Sequence, residues 1–204
     1  MELNEINKNA KKYGVPIVRD NAHEFLKQVT KNEKPKHILE IGTAIGYSGI
    51  IMLESCDGDL LTIEHSKELS KIAKKNFKAH GYSKRAKVST CDCLVALARL
   101  VSSKKFDGYF DMIFLDGPKA QYLQMFDLLM ILLKDNGTFV ADNVLFHGYV
   151  DGTISEPSRR YKTIVKRLNE FIEICKNSKL LTKFELKNID DGIIFAKKVR
   201  DEQK

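Results

Sequence analysis

Short apolar runs of strand length alternate with longer stretches of helical period along the 204 residues of this chain. Helix-length segments separate the first five of these runs. Because strands that are buried on both faces have continuous apolar sequence, the alternation predicts a parallel sheet covered by helices, a doubly wound α/β architecture. The predicted strands are 37–41, 60–64, 87–91, 111–116, 137–142, 182–186 and 192–197.

The last two predicted strands are separated only by a short segment containing NIDD. A connection this short joins antiparallel strands, whereas parallel strands need a long crossover. No internal repeat and no linker rich in Gly, Ser or Pro interrupts the chain. We therefore expect a single domain, residues 1–204, with a mostly parallel seven-stranded sheet that ends in an antiparallel hairpin.

Length and composition exclude several classes of protein. The chain is 43% hydrophobic and 30% charged, so it can bury a core of its own and is not disordered. Its longest strongly apolar run, 128–133, is too short to span a bilayer. The charged start MELNEINKNAKK lacks the apolar segment of a secretory signal, so we expect a cytoplasmic protein without membrane association. The cysteines match no common zinc spacing and are predicted to be free or buried thiols: Cys56, Cys91, Cys93 and Cys175.

The net charge of +7 comes largely from one segment. Residues 67–87 contain eight basic residues and one acid, Glu68, which gives +7, so the rest of the chain sums to about zero. The cations at 67, 71, 74, 75 and 78 share one face of a predicted helix. The overall charge therefore does not by itself indicate a nucleic-acid partner.

The segment after the first predicted strand, EIGTAIGYSG at 40–49, lies where open α/β sheets bind their ligands. Dinucleotide sites use G-x-G-x-x-G, because the pyrophosphate must approach the following helix closely. This loop contains Gly42 but reads G-T-A-I-G and lacks the middle glycine. The pattern argues against NAD and FAD and suits a nucleoside cofactor without phosphates.

Acidic residues close the next two predicted strands. Glu64 stands in LLTIEHS, where a carboxylate can accept hydrogen bonds from both ribose hydroxyls, and Asp92 stands in TCDCL, where it could meet an adenine amino group. Taken singly, Glu64 could be a solvated acid and Asp92 a helix N-cap. Together with the glycine loop they indicate S-adenosylmethionine. The pattern resembles the class I S-adenosylmethionine-dependent methyltransferases, whose sheet also ends in an antiparallel hairpin.

Three oxygen-bearing side chains follow the fourth and fifth predicted strands. Asp116 stands in IFLDGPKAQY, and Asp142 and Asn143 stand in VADNVLFHG, at the edge where two neighbouring parallel strands should end. Two carboxylates and an amide oxygen form a hard ligand set suited to Mg²⁺. The alternative is that the two acids cap helices and that Asn143 makes a turn.

The motifs D-x-x-K-x-x-Y and D-N resemble the cation-dependent O-methyltransferases, the group of catechol and caffeoyl-coenzyme A methyltransferases. The resemblance runs from YGVPIV near residue 13 to DDGIIFAKK near residue 198. It implies that Asp116, Asp142 and Asn143 bind Mg²⁺ or Mn²⁺. It also implies that Lys119 lies beside the reacting hydroxyl as a catalytic residue together with Asp116, and that the enzyme is a homodimer. The cofactor-binding residues that it implies are Val18, Gly42, Ser48, Glu64, Asp92, Cys93 and Asp116.

One branch of this family matches several motifs more closely. VPIV, ILEIGTAIGYS, K-x-Q-Y, DNVLF-x-G, a following R-R pair and D-G-x-x-x-x-K-K together resemble the bacterial tRNA 5-hydroxyuridine methyltransferases, which make 5-methoxyuridine at the wobble position. About a dozen residues precede VPIV, so we expect a shortened leading helix. The predicted tRNA-binding residues, on a helix expected to begin at Pro157 and Ser158, are Arg159, Arg160, Lys162, Lys166 and Arg167.

The sequence leaves alternatives to tRNA methylation open. A small catechol-like or phenolic compound could be the substrate, and a cofactor-binding module without catalysis is the weakest reading because its metal and lysine positions would be idle. The basic cluster could equally be a solvated face. His147, in DNVLFHG, is interpreted as a surface or lid residue.

Overall fold

The computed structural model describes residues 19–154 and 157–200. The strands are His37–Ile41 (β1), Asp59–Glu64 (β2), Ala86–Thr90 (β3), Phe110–Leu115 (β4), Leu133–Ala141 (β5), Leu181–Lys187 (β6) and Ile193–Lys198 (β7). The α-helices are Asp20–Glu33 (α1), Tyr47–Ser55 (α2), Lys67–Ala79 (α3), Cys93–Ser102 (α4), Tyr122–Leu132 (α5) and Lys162–Asn177 (α6). A 3₁₀ turn, Lys119–Gln121, precedes α5.

The predicted fold class is confirmed. The first unit has its strands in the order β3-β2-β1 and the second in the order β4-β5-β7-β6. β1 pairs with β2, β2 with β3 and β4 with β5 in parallel, whereas β7 pairs antiparallel with both β5 and β6. The sheet therefore ends in the expected antiparallel hairpin.

Strand β5 begins four residues earlier than the sequence predicted, at Leu133. The residues D-N-G at 135–137 have turn chemistry, and Asn136 has a left-handed φ of +61°. The structure accommodates them inside the strand through a register shift: Phe110 pairs with Leu133, and the next pair is Met112 with Thr138. A bulge of this kind keeps the apolar end of β5 in register with β4.

Two compact units divide the chain, one ending at Ala96 and the other beginning at Leu97. In the first unit, α1 packs against α2 and α3 packs against β2 and β3. Gly49 lets α2 approach β2 and α3 closely, because a Cβ there would lie 2.7 Å from Leu60 Cδ2 and 2.8 Å from Phe77 Cζ. That the whole chain forms one domain stays a prediction.

The four cysteines are thiols, as predicted, and Cys93 and Cys175 are buried. Cys91 and Cys93 do not share a strand face, since β3 ends at Thr90 and α4 begins at Cys93. Within residues 19–154 and 157–200, no helix is both long enough and apolar enough to cross a membrane.

Arg85 helps to hold the first unit together. Among the described lysines and arginines of the 67–87 segment, it alone donates side-chain hydrogen bonds to backbone carbonyl groups. Its guanidinium donates to the carbonyl oxygens of Leu53 at 3.2 Å, Cys56 at 2.5 Å and Gly58 at 2.7 and 3.0 Å. These bonds tie the end of α2 to the turn that starts β2. A planar guanidinium fits this task because it presents several donors in a rigid fork.

We predict that Arg85→Ala lowers the free energy of unfolding by about 2 to 3 kcal/mol, because it leaves half-buried carbonyl groups without a donor. Urea denaturation followed by circular dichroism measures this. The matched control is Lys84→Ala, whose exposed side chain should change stability by no more than about 0.5 kcal/mol. Equal midpoints for the two variants would contradict the prediction.

Candidate active site

The parallel pairing of β4 with β5 brings the two candidate metal-binding carboxylates to the same edge of the sheet. Leu115 and Ala141 are register partners, so Asp116 and Asp142 follow adjacent strand ends. The N–H of Asp142 also donates to the carbonyl of Leu115 at 3.0 Å. Neither acid caps a helix, since the first turn after Asp116 is capped at Pro118 and the next described helix after Asp142 begins at Lys162. The capping alternative is therefore wrong for both residues.

Lys119 connects the oxygen atoms of this site. Its Nζ donates to Asp116 Oδ1 at 2.7 Å and to Asn143 Oδ1 at 3.2 Å, and it lies 5.4 Å from the centre of the Tyr122 ring. Burial alone would lower the pKa of Lys119, but the Asp116 carboxylate beside it raises that pKa above its ordinary value. The ammonium group thus balances the negative charge of the two strand ends.

Tyr122 links the ends of β4 and β5 through its hydroxyl group. Its side chain is fully buried, and its hydroxyl lies 3.2 Å from the carbonyl oxygen of Leu115 and 3.1 Å from that of Asp142. Burial raises the pKa of this phenol, so it stays a neutral donor. The tyrosine of the D-x-x-K-x-x-Y motif therefore has a structural role: it contacts the backbone at the two strand ends that carry the acids.

Asp142 is the least satisfied polar group of the site. It is 1% exposed, and its Oδ1 accepts the N–H of Asn143 at 2.7 Å. Its Oδ2 is buried and, within the described residues, accepts no hydrogen bond. Burial, and after it the charge of Asp116, raises the pKa of Asp142 to about 7. A buried carboxylate oxygen without a donor is costly unless a cation binds it.

These residues fit a divalent cation. Asp116, Asp142 and Asn143 supply only oxygen atoms, the donor set that Mg²⁺ and Mn²⁺ prefer. Within the described part of the chain, no group of three or more His, Cys, Asp or Glu side chains could hold a metal, so this set depends on the amide oxygen of Asn143. Asn143 has a left-handed φ of +56°, which asparagine tolerates better than most residues.

An aromatic cluster lies on the segments that follow these ligands. The ring of Phe146 lies 6.3 Å from that of Tyr149 and 5.3 Å from that of Tyr161, and the two tyrosine rings are 6.0 Å apart. The guanidinium carbon of Arg160 lies 5.8 Å from the Tyr161 ring. Such rings offer flat apolar surface to a planar ligand. The sequence analysis did not identify this cluster, because its members are separated along the chain and carry no fixed spacing.

In the first unit, Glu64 supports the glycine loop. Its Oε2 accepts the N–H of Ala44 at 2.8 Å, and its Oε1 accepts the N–H of Ser66 at 2.8 Å. Glu64 is half-buried, so the alternative of a fully solvated acid is wrong. Gly42 has φ +101°, a conformation that favours glycine, and its N–H donates to the carbonyl oxygen of Ile63.

Glu40 is a residue of this loop region that the sequence reasoning missed. It is fully buried, and it accepts hydrogen bonds from the hydroxyls of Ser48 and Thr62, the latter at 2.6 Å. The hydroxyls of Thr62 and Thr43 are 2.5 Å apart. A charged residue inside the apolar run HILEI was the available signal. The network joins β1, β2 and the start of α2, so it fixes the shape of the glycine loop.

Asp92 caps a helix, as the alternative interpretation proposed. Its Oδ1 accepts the N–H groups of Leu94 at 2.9 Å and Val95 at 3.2 Å, at the start of α4. These bonds use one of its two carboxylate oxygens, so the contact to adenine stays a prediction. Cys93 is buried, and burial raises the pKa of its thiol. Val18 lies outside the described residues.

The predicted tRNA-binding residues do not all lie on one helix. Helix α6 begins at Lys162, so the predicted start at Pro157 and Ser158 is wrong. The N–H of Tyr161 donates to the carbonyl of Ser158 at 2.7 Å, which forms a turn before the helix. Arg159 and Arg160 therefore belong to this turn, where both are exposed.

Two members of the basic cluster have partners within the second unit. Arg167 is half-buried and donates to the carbonyl of Ala120 at 2.9 Å, so it braces the 3₁₀ turn that contains Lys119. Lys166 lies 3.8 Å from Glu170 in an exposed pair. Among the residues that the structure describes, no ion pair is formed by Arg159, Arg160 or Lys162. The cluster available to an anionic partner is therefore smaller than the sequence suggested.

Comparisons with known proteins agree with this fold. The family model for O-methyltransferases matches residues 1–199. A catechol O-methyltransferase from Niastella koreensis is 33% identical over 150 residues, which cover 71% of this chain and 67% of that protein.

Two solved structures are also similar. A Staphylococcus aureus protein assigned as a caffeoyl-CoA O-methyltransferase is 31% identical with a TM-score of 0.85, and the match covers 97% of this chain and 92% of that one. A methyltransferase from Podospora anserina, solved with bound SAH, is 25% identical with a TM-score of 0.74, over 88% of this chain and 78% of its own. The match of the family model to almost the whole chain decides the assignment. The chain belongs to the O-methyltransferase family and is an S-adenosylmethionine-dependent O-methyltransferase of the catechol and caffeoyl-CoA type.

Proposed function

We propose that this enzyme uses S-adenosylmethionine and a divalent cation, Mg²⁺ or Mn²⁺, to methylate 5-hydroxyuridine at the tRNA wobble position, which yields 5-methoxyuridine. The observation that carries the metal-dependent chemistry is the buried Oδ2 of Asp142, which has no donor among the described residues and lies in a site lined by oxygen ligands. The tRNA substrate is supported by the motif resemblance and by the exposed Arg159 and Arg160.

Asp116, Asp142 and Asn143 would hold the cation. When bound, it supplies a Lewis acid that lowers the pKa of a substrate hydroxyl. In the transfer itself, the hydroxyl releases its proton to water, the C–S bond of the sulfonium breaks while a C–O bond forms, and S-adenosylhomocysteine leaves. The protein's part in such a step is to position the two reactants and to compensate charge.

Lys119 is the catalytic residue of this proposal. Its ammonium group lies within 3.2 Å of Asp116 and Asn143 oxygens, and Arg167 braces the turn that carries it through the carbonyl of Ala120. A cation held at this position can donate a hydrogen bond to the reacting oxygen and stabilise the negative charge that develops there.

The cofactor would lie along the glycine loop of the first unit. Glu64 would accept hydrogen bonds from the ribose hydroxyls in place of the N–H of Ala44, and Asp92 would contact the adenine. Gly42 provides backbone access, and Ser48 lines the loop through its bond to Glu40. Val18 and Cys93 complete the proposed set, together with Asp116.

A small catechol-like or phenolic substrate is the second candidate. The observation that favours it is the Niastella koreensis relative, which is named a catechol O-methyltransferase. The ring cluster of Phe146, Tyr149 and Tyr161 suits either substrate, because uracil and catechol are both planar. The exposed Arg159, Arg160 and Lys162 favour tRNA, since phosphates attract an unpaired cluster of cations. We also propose that the chain is a single-domain, cytoplasmic homodimer.

Metal removal should abolish turnover. We expect excess EDTA to stop methylation and added Mn²⁺ to restore it, and Asp142→Asn to lower kcat/KM at least about 100-fold because the site loses a buried ligand charge. Methylation assays with labelled S-adenosylmethionine measure both effects, and calorimetry should show S-adenosylmethionine affinity within about twofold of the wild type.

The matched control for that variant is Asp127→Asn, an exposed carboxylate on α5 of the same unit. Its turnover and Mn²⁺ requirement should equal those of the wild type. Full turnover of the wild-type enzyme in excess EDTA would remove the metal from the mechanism.

The substrate can be identified in cells. If tRNA is the substrate, deletion of the gene should eliminate 5-methoxyuridine from total tRNA and cause 5-hydroxyuridine to accumulate, as measured by mass spectrometry of digested nucleosides. Complementation with the wild-type gene should restore the modification, and complementation with the Asp142→Asn gene should not. An unchanged nucleoside profile, together with turnover of catechol by the purified enzyme, would favour the small-molecule function.

The exposed arginines should contribute to tRNA affinity through phosphate contacts. We predict that Arg159→Ala with Arg160→Ala weakens tRNA binding and reduces the slope of log K against log salt by about 2, roughly one per cation. Filter binding at several salt concentrations measures this slope. The control is Lys179→Ala, which removes an exposed cation outside the predicted cluster and should leave the slope unchanged. A slope equal to that of the wild type in the double variant would exclude this patch.

A further inference from the structure

The loop that follows the candidate metal ligands adopts an unusual backbone conformation. Asn143, Phe146, His147 and Gly148 have φ values of +56°, +46°, +58° and +77°. Residues other than glycine rarely adopt left-handed φ, and three in six positions need external support. Such a loop would otherwise relax toward ordinary backbone angles and move Asn143 with it.

The β6–β7 turn supplies that support. The N–H of Val144 donates to the carbonyl of Gly192 at 3.0 Å, and the N–H of Leu145 donates to the carbonyl of Asp191 at 2.8 Å. Gly192 has φ +82°, and a Cβ on it would lie 2.2 Å from Leu145 Cγ. The turn and the loop are therefore in direct contact, with no space for a side chain at Gly192.

The side chain of Asp191 holds the far end of the loop. It is 5% exposed, its Oδ1 accepts the N–H of His147 at 2.5 Å, and its Oδ2 lies 3.7 Å from His147 Nδ1. The His147 imidazole itself is largely exposed, at 57%. The hydrogen bond from the His147 N–H to Asp191 is thus better shielded from water than the contact of the imidazole. A charged acceptor makes such a bond strong.

We infer that Asp191 is a positioning residue: by accepting the N–H of His147, it keeps the 143–148 loop in its left-handed conformation and so orients Asn143 toward the candidate metal site. Neither the motif D-N nor the ligand set assigns a role to Asp191. The effect on metal binding rests on the proposed metal function, but the hydrogen bond between Asp191 and the His147 N–H can be tested separately.

The first experiment measures Mn²⁺ affinity by electron paramagnetic resonance of the free ion, without turnover. Asp191→Ala should raise the Mn²⁺ Kd about 10- to 100-fold, the range typical of residues that orient metal ligands. Asp191→Asn retains an oxygen acceptor and should stay within about threefold of the wild type. The S-adenosylmethionine Kd should not change in either variant, since the glycine loop belongs to the first unit.

Two variants of His147 separate the backbone from the side chain. His147→Ala keeps the N–H and should leave Mn²⁺ affinity unchanged. In the Asp191→Ala background, His147→Gly should restore most of the lost affinity, because glycine adopts left-handed φ without support. An Asp191→Ala enzyme that binds Mn²⁺ as tightly as the wild type, or a double variant without recovery, would overturn the inference.

Hydrogen exchange on the wild-type enzyme provides a test that does not depend on the folding of any variant. The backbone amide of His147 should exchange slowly although its side chain is exposed, because Asp191 buries and bonds it. Rapid exchange at this amide would overturn the role of Asp191. If the wild type binds no Mn²⁺ while this amide is protected, the proposed metal function fails and the positioning of the loop by Asp191 stands.

Discussion

The parallel pairing of β4 with β5 is the constraint on which the rest of the active site depends. It brings two carboxylates, Asp116 and Asp142, to adjacent strand ends in a place with little access to water. Like charges this close are unfavourable without compensation. The protein supplies an ammonium group from Lys119 and a neutral donor from Tyr122, and one oxygen of Asp142 accepts no hydrogen bond from residues 19–154 and 157–200. A divalent cation would complete this balance.

The glycine loop in the first unit is built on a similar buried acid. Glu40 accepts hydrogen bonds from Ser48 and Thr62, and Glu64 accepts the N–H of Ala44. Both acids therefore shape the backbone of the loop before any ligand binds. This arrangement explains how a loop without the middle glycine of dinucleotide sites keeps a defined conformation: side-chain acceptors on β1 and β2 hold it.

The sequence predicted the sheet well and the basic surface poorly, for physical reasons. Continuous apolar runs identify buried strands. The start of β5 was missed because D-N-G has turn chemistry, and the structure accommodates these residues in the strand through a bulge. A cluster of cations carries no such constraint. Arg167 binds the carbonyl of Ala120, Arg85 binds three carbonyls in the first unit, and the turn at Ser158 places Arg159 before α6. Charge alone does not reveal which cations are used inside the fold.

The sequence by itself determined the fold class and the family resemblance, and it predicted three oxygen-bearing side chains at neighbouring strand ends, because strand periodicity and the spacing D-x-x-K-x-x-Y and D-N are local properties of the chain. Only the tertiary structure decided that Asp142 keeps a buried oxygen to which no described residue donates, and that Asp191 supports the loop after Asn143. Each of these depends on the packing of segments distant in sequence. His147 and Asp191 are 44 residues apart, and no local pattern predicts their contact.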